Sequence, residues 1–278
     1  MSVWFSALMG LVQGLTEFLP VSSSGHLVLL QSISGLDFSG NGLCFDVLLH
    51  AGTLVSVLIC FRRDIAAMLR EAFRMLRDIL HRKPLLNDNP DRRLLILIFI
   101  SSLPMLLVPL ISDSVEKLFS DPIIVGAMLI VTALLLYIAD HSQNRGVDAA
   151  SASWKDALTV GCFQLAALIP GISRSGATVT GGSIRGFRRD FAVRYSFLMS
   201  IPVIIGANIF TLRDAFSEGI TPDMTLPYLT GIVCAAISGI AAIKLVRYIA
   251  RRQNFRVFSV YTAVVGIAAI VISVVGRL

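Results

Sequence analysis

Six apolar runs, each long enough to cross a lipid bilayer, constrain this chain more than any other feature. A transmembrane helix needs roughly 20 mostly apolar residues. The runs occupy 43–61, 94–112, 122–140, 191–212, 226–246 and 257–276. Only 15% of the residues are charged and 55% are hydrophobic, whereas a soluble domain carries about 25% charged residues. The sequence therefore predicts an all-α integral membrane protein, with residues 1–278 forming a single membrane domain.

Two further apolar stretches, 2–35 and 156–186, are each interrupted by a proline followed by serines and glycines. The interruptions read FLPVSSSGH at 18–26 and IPGISRSGAT at 169–178. Proline ends a helix, and the unpaired backbone groups that follow it survive at membrane depth only inside protein or beside a wet cavity. Each stretch is therefore predicted to be a re-entrant helical hairpin, in which two half-helices meet near the midplane.

The basic residues indicate how the spans are oriented. If 62–93 is cytoplasmic, the alternation of six spans places 141–155, 185–194 and 244–256 on the same side. These segments hold nearly all of the 24 Lys and Arg residues, as the positive-inside rule requires. The exceptions are Lys117, Arg174, Arg213 and Arg277. The plan predicts extracytoplasmic termini and explains the net charge of +6 without a nucleic-acid partner. Within 62–93 it predicts a basic amphipathic helix at the inner headgroups.

The two halves of the chain resemble each other in plan. An offset of about 150 residues brings Pro170 onto Pro20 and Ser173 onto Ser23. Each half, approximately 1–140 and 150–278, consists of one hairpin and three spans, so the second copy is inverted. Such inverted-topology repeats place a binding site near the midplane, where the broken helices meet. A ridge of small residues, Gly231, Ala235 and Gly239, predicts close helix packing within the monomer or in a homodimer.

Polar residues concentrate in the two interrupted stretches. Gln13 and Glu17 are four residues apart and so share one face of the first half-helix. A charge at the bilayer centre costs about 2.5–3.5 kcal/mol, so Glu17 and Arg174 are predicted to be functional rather than a structural ion pair. The other candidates in the first stretch are Ser22, Ser23, Ser24, Gly25 and His26. Those in the second stretch are Ser173, Ser175, Gly176 and Thr178.

This set of side chains suits a phosphorylated ligand. The guanidinium of Arg174, the hydroxyls and the helix N-termini all donate hydrogen bonds to phosphate oxygens. Glu17, with the amide oxygen of Gln13, is a candidate ligand for Mg²⁺ or Ca²⁺. Three nucleophiles stay open: Ser23, His26, or a water activated by His26. Asp46 and His50 lie four residues apart on the first span, which suits pairing with each other; a contribution of Asp46 to the site is the alternative.

Two segments, QGLTEFLPVSSSGH at 13–26 and PGISRSGAT at 170–178, resemble the undecaprenyl-diphosphatase family, also called bacitracin-resistance proteins. The resemblance implies an inverted-repeat membrane enzyme that hydrolyses undecaprenyl pyrophosphate to undecaprenyl phosphate and inorganic phosphate, recycling the carrier of cell-wall polymers. It also implies a divalent cation and an active site on the extracytoplasmic side of the bacterial plasma membrane. The family motifs fall on Gln13, Glu17, Ser23, His26, Ser173, Arg174, Ser175 and Thr178. Gln13 departs from the glutamate often found there.

A second function is compatible with the same features. Inverted repeats with broken helices are typical of transporters, and Arg and Ser side chains suit the passage of an anion. A transporter or flippase for a polyprenyl phosphate is therefore the alternative hypothesis. Phosphate release in detergent, where no gradient exists, separates the two.

Overall fold

The chain folds entirely into helices over the part that the structure describes. This computed structural model describes residues 2–34, 42–84, 89–119, 121–218, 222–252 and 254–276. Within these ranges, extended pairing is limited to one isolated bridge between Val147 and Phe187. The predicted all-α class is confirmed. Residue 35, at the end of the first interrupted stretch, and Arg277 lie outside the described residues.

Twelve α-helices, α1 to α12, and one 3₁₀ helix make up the described fold. The first half contains α1 Val3–Phe18, α2 Ser23–Ser34, α3 Gly42–Cys60, α4 Arg62–Leu80, α5 Pro90–Ser102, the 3₁₀ helix Leu103–Leu107, α6 Val108–Glu116 and α7 Pro122–His141. The second half contains α8 Trp154–Ala166, α9 Arg174–Ile184, α10 Arg189–Glu218, α11 Pro222–Arg251 and α12 Arg256–Val275.

Five segments within the described residues are long and apolar enough to cross a membrane. They are Pro90–Ser112, Pro122–His141, Arg189–Ile209, Asp223–Arg251 and Arg256–Val275. The predicted span 43–61 corresponds to α3, which passes the same test only together with α4, and these two helices are bent by 85°. The described residues therefore support five or six spans of the six predicted.

The predicted span 94–112 is confirmed as part of the candidate span Pro90–Ser112, although its backbone is not one continuous α-helix. Its α5 ends at Ser102, and a 3₁₀ turn leads into α6. Pro104 lies in the 3₁₀ turn and Pro109 at the start of α6. Each proline removes a backbone donor and clashes with the preceding turn, so the regular α-helix stops there. The whole segment still passes as a single candidate span.

The predicted amphipathic helix is α4, which is held against α5 by buried charges. Arg92 of α5 donates from Nε to Glu71 Oε2 (3.1 Å) and from Nη2 to Asp78 Oδ2 (2.8 Å). Both Arg92 and Glu71 are buried. The opposite face of α4 exposes large apolar side chains, namely Leu69, Phe73, Leu76 and Leu80.

Small residues let α1, which carries Gln13 and Glu17, pack closely on α11. A Cβ atom added at Gly14 would collide with the Ser238 hydroxyl and the Ala235 carbonyl of α11. The predicted ridge on α11 also contacts α3, because a Cβ at Gly239 would meet Ser56. The ridge therefore serves packing within one chain, and its use in a homodimer stays a prediction.

Replacing Gly14 by alanine should destabilise the protein. The new methyl group would have to displace backbone of α11, and overpacking a tight contact costs about 1–3 kcal/mol. We expect a fall of several degrees in the midpoint of thermal unfolding in detergent. Gly206→Ala is the matched control, because a Cβ at that helical glycine meets nothing within 4 Å. Equal midpoints for the two variants would contradict this account of the α1–α11 contact.

Candidate active site

The two interruptions predicted from the sequence lie against each other. The first separates α1 from α2 at residues 19–22, and the second separates α8 from α9 at residues 167–173. The Ser175 hydroxyl donates to the Leu19 carbonyl across the contact (3.2 Å). A Cβ atom at Gly176 would lie 3.5 Å from the Pro20 Cβ. Residues that are about 150 positions apart in the chain therefore form one site.

The carboxylate of Glu17 is the centre of this site, and it is buried. Its Oε1 receives a hydrogen bond from Arg174 Nη2 (2.5 Å). Its Oε2 receives hydrogen bonds from the Ser23 hydroxyl (2.7 Å) and from Gln13 Nε2 (3.1 Å). Gln13 and Glu17 share one face of α1, as their spacing predicts. The arrangement joins both interruptions through one negative and one positive charge.

Two helix N-termini open onto the same site. The Ser22 hydroxyl accepts from the backbone N–H of Gly25 (3.2 Å) at the start of α2. The Ser173 hydroxyl accepts from the backbone N–H of Gly176 (3.1 Å) at the start of α9. Each N-terminus carries unsatisfied N–H groups and partial positive charge, which favours bound anions. Arg174, at the first position of α9, adds a full positive charge.

Ser22 adopts a left-handed backbone conformation, with a φ of 71°. This region is uncommon for a residue other than glycine, and such strain persists where the surrounding structure enforces it, often at functional sites. The turn directs the chain from the end of α1 into α2 within a few residues. It thereby places the Ser23 hydroxyl beside Glu17.

A cavity of about 280 Å³ lies beside these groups. Six of the predicted site residues line it: Glu17, Ser22, Ser23, Ser24, Ser173 and Arg174. Three further polar residues line it that were not assigned to the site from the sequence: Thr16, His50 and Asn208. The other described residues that line it are apolar and include Val47, Phe119, Leu168, Ile172, Val203 and Ile204. The cavity therefore presents a charged, hydroxyl-rich part and an apolar part.

The other predicted site residues do not line this cavity. They are Gln13, Gly25, His26, Ser175, Gly176 and Thr178. Several of them shape the two interruptions instead. The Thr178 hydroxyl donates to the Arg174 carbonyl (2.8 Å) and lies 2.7 Å from the Ser196 hydroxyl, so it links α9 to α10.

His26 is directed toward α12 rather than into the cavity. Its Nδ1 lies 2.7 Å from the Ser22 carbonyl, and its Nε2 lies 2.8 Å from the Tyr261 hydroxyl. The two rings are also stacked, with centroids 5.6 Å apart. Both ring nitrogens therefore have partners, and the imidazole fixes the position of the Ser22 backbone relative to α12.

His50 takes the place in the cavity that the sequence suggested for His26. Its Nδ1 contacts the backbone carbonyl of Asp46 (2.8 Å) rather than the Asp46 carboxylate, so the expected side-chain pair is not formed through this atom. Its Nε2 lies 3.7 Å from Glu17 Oε2. The spacing of Asp46 and His50 on α3 carried no signal of this contact, since it depends on how α3 packs beside α1.

Asn208 of α10 is a further polar residue of the cavity that the sequence did not reveal. Its Nδ2 donates to the Ile204 carbonyl (2.7 Å), which fixes the orientation of the amide. Its Oδ1 is buried and has no hydrogen-bond donor among the described residues. Asn208 therefore adds a neutral amide to the cavity wall formed by α10.

The donor set around Glu17 does not fit a resident divalent cation. Both carboxylate oxygens already accept hydrogen bonds, and one of the donors is the cationic Arg174. Hard cations need several oxygen ligands. Gln13 Oε1 is buried without a hydrogen-bond partner, but the described residues contain no group of three or more His, Cys, Asp or Glu placed to hold a metal.

Comparisons with known proteins match one family over nearly the whole chain. The sequence profile of a family described as bacitracin resistance protein BacA matches residues 6–268. A protein named undecaprenyl-diphosphatase from Halothermothrix orenii is 40% identical over 274 residues, covering 98% of this chain and 99% of the relative. One of the same name from Alkaliphilus metalliredigens is 38% identical over 275 residues, covering 98% and 99%. Another, from Carboxydothermus hydrogenoformans, is 37% identical over 280 residues, covering 100% of both.

Proposed function

The chain belongs to the family of the bacitracin resistance protein BacA, and we propose that its Glu17–Arg174 cavity is where it hydrolyses undecaprenyl diphosphate. The products are undecaprenyl phosphate and inorganic phosphate. One observation carries this assignment: two helix N-termini, a guanidinium and several hydroxyls converge on one cavity beside a buried carboxylate. Donors of this kind suit the oxygens of a diphosphate, and the carboxylate supplies a proton acceptor.

The terminal phosphoryl group binds at the N-termini of α2 and α9. Arg174 uses Nη2 for Glu17, and the rest of its planar group is available to phosphate oxygens in the cavity that it lines. The hydroxyls of Ser22, Ser24 and Ser173 add further donors. Phosphoryl transfer depends mainly on positioning and on charge stabilisation, which these groups provide.

Ser23 is the attacking group. Its hydroxyl lines the cavity and donates to Glu17 Oε2 (2.7 Å), so a proton acceptor is already in contact with it. The Ser23 oxygen bonds to the terminal phosphorus as the bond between that phosphorus and the bridging oxygen breaks. The serine proton passes through Glu17 to the departing lipid phosphate. Water then cleaves the phosphoserine, releasing inorganic phosphate and restoring the serine hydroxyl.

His26 positions this nucleophile instead of reacting. Its contacts with the Ser22 carbonyl and the Tyr261 hydroxyl occupy both ring nitrogens and hold the turn that precedes Ser23. A direct role for His26 would require the imidazole to leave both partners. Among the described residues, the donors around Glu17 leave no ready set of ligands for a divalent cation.

The polyprenyl tail lies against the apolar part of the cavity. Val47 of α3 and Val203 and Ile204 of α10 line that part. α10 contains a candidate span, and α3 corresponds to a predicted span. A tail that lies between these two helices therefore reaches the lipid without crossing the charged part of the cavity. A soluble diphosphate has no apolar tail that could bind to this surface.

Helix pairing supports an inverted repeat in which α1–α7 correspond to α8–α12. A two-fold relation predicts that α7 packs on its counterpart α12 and α3 on its counterpart α10, and both contacts occur. It also predicts that the contact between α1 and α11 has a counterpart between α8 and α5, and this contact is observed as well. The two interruptions are then re-entrant hairpins, and the distribution of Lys and Arg supports a cavity mouth on the extracytoplasmic side.

The purified chain in detergent should release phosphate from undecaprenyl diphosphate without any ion or lipid gradient. Glu17→Gln should abolish this release, because the variant retains a hydrogen-bonding group but loses the proton acceptor and the partner of Arg174. Phosphate is measured with the wild type in the presence and absence of a chelator, which tests separately whether Mg²⁺ or Ca²⁺ takes part in the reaction. Movement of lipid phosphate across vesicles without any hydrolysis would instead support a transporter.

A further inference from the structure

We propose that His50 holds the water molecule that cleaves the phosphoserine at Ser23. This inference rests on the proposed function, because it concerns the second half of that reaction. His50 is a cavity residue, and its Nε2 lies 3.7 Å from the carboxylate oxygen that accepts the Ser23 hydrogen bond. The water would therefore bind beside the group it must attack.

The hydrogen bond at Nδ1 determines what Nε2 offers to the cavity. Nδ1 lies 2.8 Å from the Asp46 backbone carbonyl, which can only accept a hydrogen bond. Nδ1 therefore carries the ring proton, and Nε2 of the neutral ring presents a lone pair. This lone pair faces the cavity beside Glu17 Oε2.

An attacking water needs acceptors, because it must direct its hydrogens away from phosphorus and keep a lone pair for the new bond. Two of the groups that are hydrogen-bonded to Glu17, Arg174 and the Gln13 amide nitrogen, cannot accept a hydrogen bond from this water, because both act only as donors there. His50 Nε2 and Glu17 Oε2 are two acceptors within 3.7 Å of each other. One water with ordinary hydrogen-bond lengths of about 2.8 Å can donate one hydrogen to each.

The step balances with His50 acting as a hydrogen-bond acceptor. The water oxygen bonds to phosphorus while the bond between phosphorus and the Ser23 oxygen breaks. One water proton passes to Glu17 Oε2 and on to the serine oxygen, and the remaining hydroxyl leaves in inorganic phosphate. His50 keeps its own proton on Nδ1 throughout and orients the water for the attack.

The test separates the two half-reactions in single-turnover and steady-state measurements. With His50→Leu, we expect lipid monophosphate to form in a first turnover at a rate within about threefold of wild type. Phosphate release should fall about 10- to 100-fold, which is the effect expected when one hydrogen bond that positions a reactant is lost. Acid-stable phosphoserine should accumulate to about one per enzyme. His50→Gln should recover most of the release rate, because its amide oxygen can accept from the same water.

The matched control is His81→Leu. The Nδ1 of His81 also contacts the carbonyl four residues earlier (Arg77, 2.8 Å), but this histidine is exposed at the end of α4 and does not line the cavity. Phosphate release by His50→Leu at the control rate would overturn the proposal. So would equal slowing of both half-reactions, or a His50→Gln variant as slow as His50→Leu. Absence of phosphoserine with hydrolysis intact would instead count against Ser23 attack.

Discussion

Arg174→Lys should lower phosphate release by about 10²- to 10³-fold while leaving the fold intact. Lysine keeps the positive charge, but it offers a single ammonium in place of a planar fork that donates to Glu17 and to phosphate at the same time. Donors aimed at the charge that develops in the transition state are worth about 10²–10³ in turnover when one is removed. The loss should fall on kcat more than on KM, because a point charge still attracts the diphosphate.

Arg185→Lys is the matched control for this substitution. Arg185 lies at the other end of α9 and pairs with a carboxylate, Asp156, as Arg174 pairs with Glu17. It does not line the cavity. Arg185→Lys should therefore leave turnover within about twofold of wild type. Near wild-type turnover of Arg174→Lys, by contrast, would remove the basis for the proposed phosphate site. Thermal unfolding midpoints measured in parallel show whether either variant is simply misfolded.

Much of this site could be predicted because its physics is local. Proline followed by serines and glycines ends a helix wherever it occurs, and the structure interrupts both stretches at the predicted places. The four-residue spacing of Gln13 and Glu17 fixes their shared face, and Gln13 does donate to Glu17. The high cost of an isolated charge in lipid marked both Glu17 and Arg174 as functional candidates, and the two side chains do meet, although 157 positions separate them.

What the sequence could not supply is the arrangement of helices around the interruptions. His26 follows Ser23 by three residues and was a candidate for the chemistry, but its imidazole turns to Tyr261, which lies 235 positions further along the chain. His50 reaches Glu17 only because α3 packs beside α1. Neither contact leaves a trace in local periodicity. The 85° bend between α3 and α4, by contrast, agrees with the predicted change at this junction from a membrane span to an amphipathic helix at the headgroups.

Ser23→Ala should reduce hydrolysis by at least about 10³-fold and abolish any phosphoenzyme. The substitution removes the attacking oxygen, and covalent catalysis has no substitute at that position. The fold should survive, because Ser23 donates its side-chain hydrogen bond to Glu17, which keeps its contacts with Arg174 and Gln13. The rate is measured by phosphate release, and the intermediate by acid quenching of enzyme mixed with substrate labelled in the terminal phosphate.

Ser24→Ala is the graded comparison, since Ser24 lines the same cavity and its hydroxyl lies 3.3 Å from that of Ser22 rather than beside Glu17. It should lose no more than about tenfold, the effect of one missing neutral hydrogen bond to phosphate. An acid-labile label would indicate a phosphohistidine, and then one of the two histidines near the site would be the nucleophile. If Ser23→Ala lost only as much hydrolysis activity as is expected for Ser24→Ala, water would attack the diphosphate directly, with Glu17 as its proton acceptor.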